Sequence, residues 1–168
     1  QLLPEVALPC YNSVIIEHFL HKIPDLAEHF LYANDDMFFF KPVQPEFFFN
    51  KEGKPIVRLQ KAPLGKWLNV VKNKLNIPVN IYRKTIHRSA LMIESKFGKY
   101  FEGTPHHNVD AYLKSRYAEV SEMHFKTEIS STVEHHVRTV NDIQRIIYLY
   151  YLLAINDAEL RYVSRNES

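Results

Sequence analysis

Apolar positions recur along this chain in two rhythms, and each predicts its own kind of element. Val14, Ile15, Phe19 and Ile23 repeat at helical spacing behind Asn12 and Ser13, either of which can cap a helix running to about Lys22. Pro24 suits the first turn of a second short helix, Asp25 to His29. Continuous apolar runs then predict extended chain: a buried strand over Phe30 to Ala33 and a second extended piece over Met37 to Phe40. Pro42 and Pro45 break that run, and Glu46 to Phe49 reads as one helical turn. Asn50 to Lys54, with Gly53, has the composition of a hairpin-like turn and leads into a strand over Ile56 to Leu59.

The second half turns mainly helical. Gly65 to Leu75 predicts a helix stopped by Pro78, and Asn80 to Phe97 predicts another ended by Gly98. Lys99 to Asn108 holds Gly103 and Pro105 and reads as a loop. Asp110 is placed to cap a helix to about Val120. Asn141 or Asp142 is placed to cap a last helix with Ile143, Ile146, Ile147, Tyr150 and Leu153 on one side. From Asn156 the chain predicts a polar, frayed tail. The expected organisation is a single α/β domain. Residues 1–62 form its α/β portion with an acidic pair, 63–155 a mainly helical portion, and 156–168 the polar tail.

Composition narrows the picture. The 168 residues include 11 Phe and 10 Tyr, enough for one real core and against disorder. A formal net charge of +2, with scattered Lys and Arg, gives no expectation of nucleic-acid binding. The basic run from Lys51 to Arg88, which contains Arg58, reads as a solvated face or as one that meets an anionic substrate or a membrane surface. The lone Cys10 excludes an intramolecular disulfide and a zinc site built on cysteines. No signal peptide stands out, and the longest apolar run, Ile146 to Ile155, is about half a membrane span. The chain opens on Gln1 without a Met, so it is expected to be a piece of something longer.

Candidate chemistry starts at Asn34-Asp35-Asp36, which interrupts the apolar run from Phe30 to Phe40. Two neighbouring carboxylates need a cation or hydrogen bonds if they are buried. The segment is therefore either a solvated turn or the end of a strand that holds a hard divalent cation against a phosphate. His18 and His21 stand three apart, but no third zinc ligand follows, so packing or surface roles are expected over zinc. His106 and His107 stand in a Gly/Pro loop, where an imidazole can act as a general base or simply be exposed. Arg138 can grip a phosphate bidentately ahead of the last helix. Asp142 would oppose an anion there and reads as a cap. No glycine-rich phosphate loop and no nucleophilic Ser or Cys signature is present.

These segments together resemble the Stealth family of sugar-1-phosphate transferases. That family includes bacterial capsule polymerases and the animal N-acetylglucosamine-1-phosphotransferase that tags lysosomal enzymes. One block is Glu17-His18-Phe19-Leu20-His21-Lys22-Ile23-Pro24 running on through Phe30-Leu31-Tyr32-Ala33-Asn34-Asp35-Asp36-Met37-Phe38. Ser95-Lys96-Phe97-Gly98 with His106 forms another. His135-His136-Val137-Arg138 with Asn141-Asp142 and an aromatic helix forms a third. The family's nucleotide-binding block, expected before the His-rich helix, is absent, and its closing C-terminal block is not evident, which again suggests the central part of a larger enzyme.

The resemblance implies an α/β nucleotide-sugar transferase core of GT-A/Rossmann-like type with a mainly helical second half. It implies transfer of hexose-1-phosphate, typically N-acetylhexosamine-1-phosphate, from a UDP-sugar donor to a hydroxyl of an oligosaccharide or polysaccharide acceptor, with release of UMP. Asp35 and Asp36 would hold Mg²⁺ (or Mn²⁺) on the diphosphate. His106, or His107 in its place, would be the base, and Arg138 would neutralise phosphoryl oxygens. Asn34, His21, Arg58, His135 and Asn141 complete the expected substrate-binding set. The implied setting is the bacterial cytoplasm at the inner face of the inner membrane, with peripheral association. Two alternatives stay open: a metal-dependent glycosyltransferase acting at the anomeric carbon, and a non-catalytic acceptor-binding fragment.

Overall fold

A computed structural model describes residues 2–61, 65–75, 77–105 and 109–164. Asn12 opens the first helix, α1 (Ser13–His18), by accepting a hydrogen bond from the Val14 amide at 3.2 Å. One 3-10 turn, Leu20–Lys22, follows. The short helix expected after Pro24 does not form. Asp25 takes a left-handed conformation (φ 56°), which a helix does not tolerate, and the chain turns into β1 (His29–Tyr32).

The partner of β1 is β4 (Asp110–Leu113), paired antiparallel from His29 opposite Leu113 to Tyr32 opposite Asp110. This corrects the helix expected to start at Asp110. Phe30 and Tyr112 stack across the pair at 5.5 Å, so burial of two rings decides for the strand. The helix begins later, as α4 (Lys114–Glu119). Its cap comes from another part of the chain: Glu28 accepts from the Ser115 amide at 3.2 Å and from the Ser115 hydroxyl at 2.6 Å. A wide π-turn over Val120–His124 leads on into α5 (Lys126–Val133).

The second sheet orders its strands β3–β2–β5. Here β2 is Ile56–Gln60, β3 is Thr104–Pro105 and β5 is Glu159–Val163. β5 runs parallel to β2 along its whole length. The segment expected as a frayed tail is therefore a paired strand through Val163. Met37 to Phe40, expected as a second extended piece, joins neither sheet.

Helix α2 (Gly65–Lys74) and helix α3 (Ile81–Phe97) match their expected spans. Asn80 caps α3 by accepting from the Tyr82 amide, and Gly98 ends it at φ 71°. Helix α6 (Ile146–Ala154) is buried along its full length. A helix apolar all round belongs in the middle of a fold. Tyr148 of α6 stacks face to face on Tyr117, with ring centroids 3.5 Å apart. Among the described residues no helix is long and apolar enough to cross a membrane. The architecture is mixed α/β, built from helices around α6 and two small sheets.

Candidate functional site

A cleft of about 780 Å³ opens where β1, β4, α3 and the start of α6 meet. Its floor is an ionic cluster. Arg145 donates through Nη1 to Asp110 at 2.7 Å and through Nε to Glu17 at 3.2 Å, and all three side chains are less than a fifth exposed. Arg145 also bonds the Tyr112 hydroxyl and lies 4.1 Å above the Tyr32 ring. Burial pushes the Glu17 and Asp110 carboxyls above their usual range, although Arg145 pulls both back. Burial opposes the Arg145 charge too, but Tyr112, Asp110 and Glu17 outweigh it and hold the guanidinium firmly protonated.

The rim carries the opposite arrangement, with charges facing water. Asn34, Asp35 and Asp36 follow β1 in a turn closed by the Met37 amide on the Asn34 carbonyl at 3.2 Å. Both carboxylates are exposed and line the cleft. The segment is thus the solvated turn, one of the two readings from the sequence, and it opens onto the cleft. Arg138 also lines the cleft, bonded through Nη2 to the Ser13 hydroxyl at 3.2 Å, and forms no ion pair among the described residues. No group of three His, Cys, Asp or Glu converges as a metal cage among the described residues. The turn instead offers hard oxygens on open ground. That suits a cation which keeps several waters and shares oxygens with a bound phosphate.

The family model for Stealth protein CR2, conserved region 2, matches residues 1–57. Those residues supply Glu17, Tyr32 and the Asn34–Asp36 turn to the cleft. Over 150 residues the chain is 33% identical to exopolysaccharide phosphotransferase CpsY of Mycobacterium leprae, covering 89% of this chain and 26% of that protein. Residues 1–57 thus carry a conserved region of the Stealth family. It is also 28% identical over 143 residues to capsular polysaccharide phosphotransferase LcbA of Aeromonas hydrophila, covering 85% of this chain and 38% of that one. A 53-residue stretch is 51% identical to a capsular polysaccharide phosphotransferase of Neisseria meningitidis serogroup B, covering 32% of this chain and 14% of that protein. The chain spans only about a quarter to two-fifths of the length of CpsY and LcbA.

Of the residues singled out from the sequence, Asn34, Asp35, Asp36 and Arg138 come together on the cleft. His106 and His107 lie outside the described residues. The described chain on either side, at Pro105 and Asp110, lines the cleft. The other expected binding residues stand elsewhere. His21 is buried against the Tyr117 ring and pairs with Glu122 at 3.3 Å. Arg58 lies flat on the Phe47 ring, 3.7 Å from its centre. His135 shares a hydrogen bond with Asp142 at 2.8 Å. Asn141 accepts from Arg88 through its backbone and side-chain oxygens at 2.6 and 3.2 Å.

Asp142 itself does not cap α6, which starts after Arg145. Its carboxylate is fully buried and accepts from Asn12 at 2.8 Å and from the Thr139 amide and hydroxyl at 3.0 and 2.8 Å. Burial opposes its charge, but these donors and His135 prevail and hold the carboxyl below the usual range. His18 is likewise internal. Its Nε2 donates to the Ile143 carbonyl at 2.9 Å, and Nδ1 accepts from the Tyr148 hydroxyl at 2.8 Å. Both ring nitrogens are used in packing, as expected over zinc.

Sequence reasoning missed the floor: Glu17, Tyr82, Gln144 and Arg145, with Asp110 mistaken for a cap. One signal was available. Gln144-Arg145 sits between Ile143 and Ile146-Ile147 in the most apolar part of the chain. A guanidinium there has no solvent side and must find carboxylates within the fold.

Proposed function

We infer that the protein transfers hexose-1-phosphate, with N-acetylhexosamine-1-phosphate favoured, from a UDP-sugar to a sugar hydroxyl, so building a phosphodiester-linked capsular polysaccharide. The observation that carries this reading is the shared cleft. The Asn34–Asp36 turn and Arg138, separated by more than half of the sequence, line one cavity. The names of CpsY and LcbA, as phosphotransferases of exopolysaccharide and capsular polysaccharide, support it.

In this reading the acceptor oxygen attacks the phosphorus that carries the sugar. The bond from that phosphorus to the bridging oxygen breaks, and UMP leaves with the oxygen. Such transfer depends on positioning and charge neutralisation more than on a covalent nucleophile. Arg138, which forms no salt bridge among the described residues, grips the phosphoryl oxygens. Asp35 and Asp36, beside Asn34, would hold Mg²⁺ (or Mn²⁺), which when bound neutralises diphosphate charge. His106, or His107 in its place, takes the proton of the acceptor hydroxyl. Arg145 keeps Glu17 and Asp110 paired beneath the substrate, so that the floor presents no free carboxylate to the phosphates.

The proposal places the two small sheets within a larger GT-A/Rossmann-like nucleotide-sugar transferase core, working in the cytoplasm at the inner face of the inner membrane. The test is to incubate the full-length protein with UDP-N-acetylglucosamine, Mg²⁺ and a short acceptor, and to identify the nucleotide released. UMP with phosphorus in the product is expected. UDP with a phosphorus-free product overturns the reading in favour of glycosyl transfer at the anomeric carbon.

A further inference from the structure

The proposed reaction needs Arg138 held in one place, and its own segment does not hold it. Arg138 stands midway in a strap, residues 135–142, that runs from the end of α5 towards α6 without helix or strand. Its neighbours His136, Val137 and Val140 are exposed. Such a strap keeps one shape only where side chains tie it down.

The tie is Asp142. Its buried carboxylate accepts from the Thr139 hydroxyl, His135 Nδ1 and Asn12 Nδ2, each at 2.8 Å, and from the Thr139 amide at 3.0 Å. His135 precedes Arg138 and Thr139 follows it, so the carboxylate closes the strap into a ring with Arg138 between the tied points. Asn12 caps α1 and also donates to the His135 carbonyl at 3.4 Å. Ser13, the next residue, accepts from Arg138 itself at 3.2 Å. The ring is thereby fastened at two adjacent residues to the start of α1, the helix that carries Glu17 into the cleft. From the opposite wall, Arg88 of α3 donates to the Asn141 carbonyl at 2.6 Å.

We propose that Asp142 is a positioning residue, which holds Arg138 on the phosphoryl oxygens of the donor, and that Thr139 is its link to Arg138. The proposal rests on the transfer reaction inferred above and adds residues that act through Arg138. Asp142 does not touch the substrate: it is fully buried and is not among the described residues that line the cleft. A charge-neutralising group displaced by about 1 Å can cost up to a hundredfold in rate. Loosening the strap therefore lowers turnover even though the guanidinium is still present. The loss falls chiefly in kcat, because the contact that matters is the one made to charge developing at phosphorus.

The experiment is a double-mutant cycle in the full-length protein, with UDP-N-acetylglucosamine, Mg²⁺ and a short acceptor, following total nucleotide release. Thr139→Val keeps the shape of the side chain and removes its donor, while Thr139→Ser keeps the donor. Asp142→Asn removes the charge at the centre of the ring. Thr139→Val is expected to lower kcat about fivefold and Asp142→Asn about tenfold or more, with Thr139→Ser close to wild type. In an Arg138→Ala background both substitutions should change kcat by less than about twofold, because the group they aim is gone. Equal losses in the two backgrounds mean a general structural role and overturn the proposal, and so does an unchanged kcat in both single variants. Thr139 is only half-buried, so if Asp142→Asn does not fold, the Thr139 pair decides alone. The cycle does not depend on which nucleotide leaves. UDP release defeats the transfer reading while the coupling stands, and lost coupling with UMP release defeats only the positioning role. Wild-type turnover by Arg138→Ala defeats both.

Discussion

Arg145 Nη1 donates to Asp110 Oδ2 at 2.7 Å, and so ties the first residue of β4 to the residue that precedes α6. The same guanidinium reaches Glu17 on α1. One side chain thus fixes three elements around the cleft floor. It also cancels charge that would otherwise stand unpaired out of water.

Arg145→Met is expected to destabilise the fold by about 3–5 kcal/mol, because it strands two buried carboxylates. Denaturant unfolding at neutral pH measures the loss. Acidification is expected to shrink the difference from wild type. Burial already lifts Glu17 and Asp110 above their usual range, and once protonated they no longer carry the charge that Arg145 balances. A loss equal at pH 4 and pH 7 would mean that packing, not charge, is what Arg145 supplies.

His18 gives the fold an acid-sensitive joint. Burial lowers its pKa from 6.5 to about 4. The unfolded chain therefore binds a proton over this interval that the folded one refuses. The resulting stability is fully present above pH 6.5 and is lost as pH falls towards 4, by about 3 kcal/mol in all. His18→Gln is expected to flatten the pH dependence of unfolding across that window, whatever it does to stability at pH 7. A variant that keeps the wild-type slope assigns the effect to other groups.

Gly103 sits where the loop enters β3, at φ 146°, a conformation reserved for glycine. A Cβ there would meet the Gln60 carbonyl and Leu59 Cβ, each at 3.0 Å, and the Gly103 carbonyl also accepts from the Tyr150 hydroxyl at 2.9 Å. Gly103→Ala is expected to cost about 1–3 kcal/mol through backbone strain and the close contact. Thermal unfolding checks it, and an unshifted midpoint would show that the β2–β3 pairing yields freely.

What could be read from the sequence follows from how local each signal is. Asn12, Asn80 and Gly98 act within a few residues of themselves, and all stand where the pattern put them. The Asn50 to Lys54 turn is local too, with Asn50 Oδ1 accepting from the Glu52 and Lys54 amides at 3.0 Å. The misreadings are residues whose partners lie far along the chain. Asp110 has cap chemistry, but β1 and Arg145 claim it. Asp142 has cap chemistry as well, and Asn12, 130 residues away, helps turn it inward. β5 alternates polar and apolar residues over only five positions, and its pairing with the distant β2 is what makes it a strand. In the site, exposed rim residues were legible because a polar interruption of an apolar run is visible in one dimension. The buried floor was not, since its charges look like caps until the third dimension brings them together.

The rim is where activity and stability separate. Asp35 and Asp36 are exposed, and among the described residues the Arg138 side chain is hydrogen-bonded to the Ser13 hydroxyl and in no salt bridge. Asp36→Ala and Arg138→Ala should leave the unfolding midpoint within about 0.5 kcal/mol of wild type, as surface substitutions do. Under the proposed transfer reaction each should lower UMP release by about a hundredfold or more, the scale expected for losing one preorganised charge in the site. Arg138→Lys should recover only part of that, because a point charge does not reproduce the planar fork on a phosphoryl group. Asp35→Asn keeps shape and removes charge, so it separates the need for a negative oxygen from the need for the turn. If Asp36→Ala and Arg138→Ala both turn over at the wild-type rate in the full-length protein, the cleft is not the reaction centre, whatever its resemblance to one.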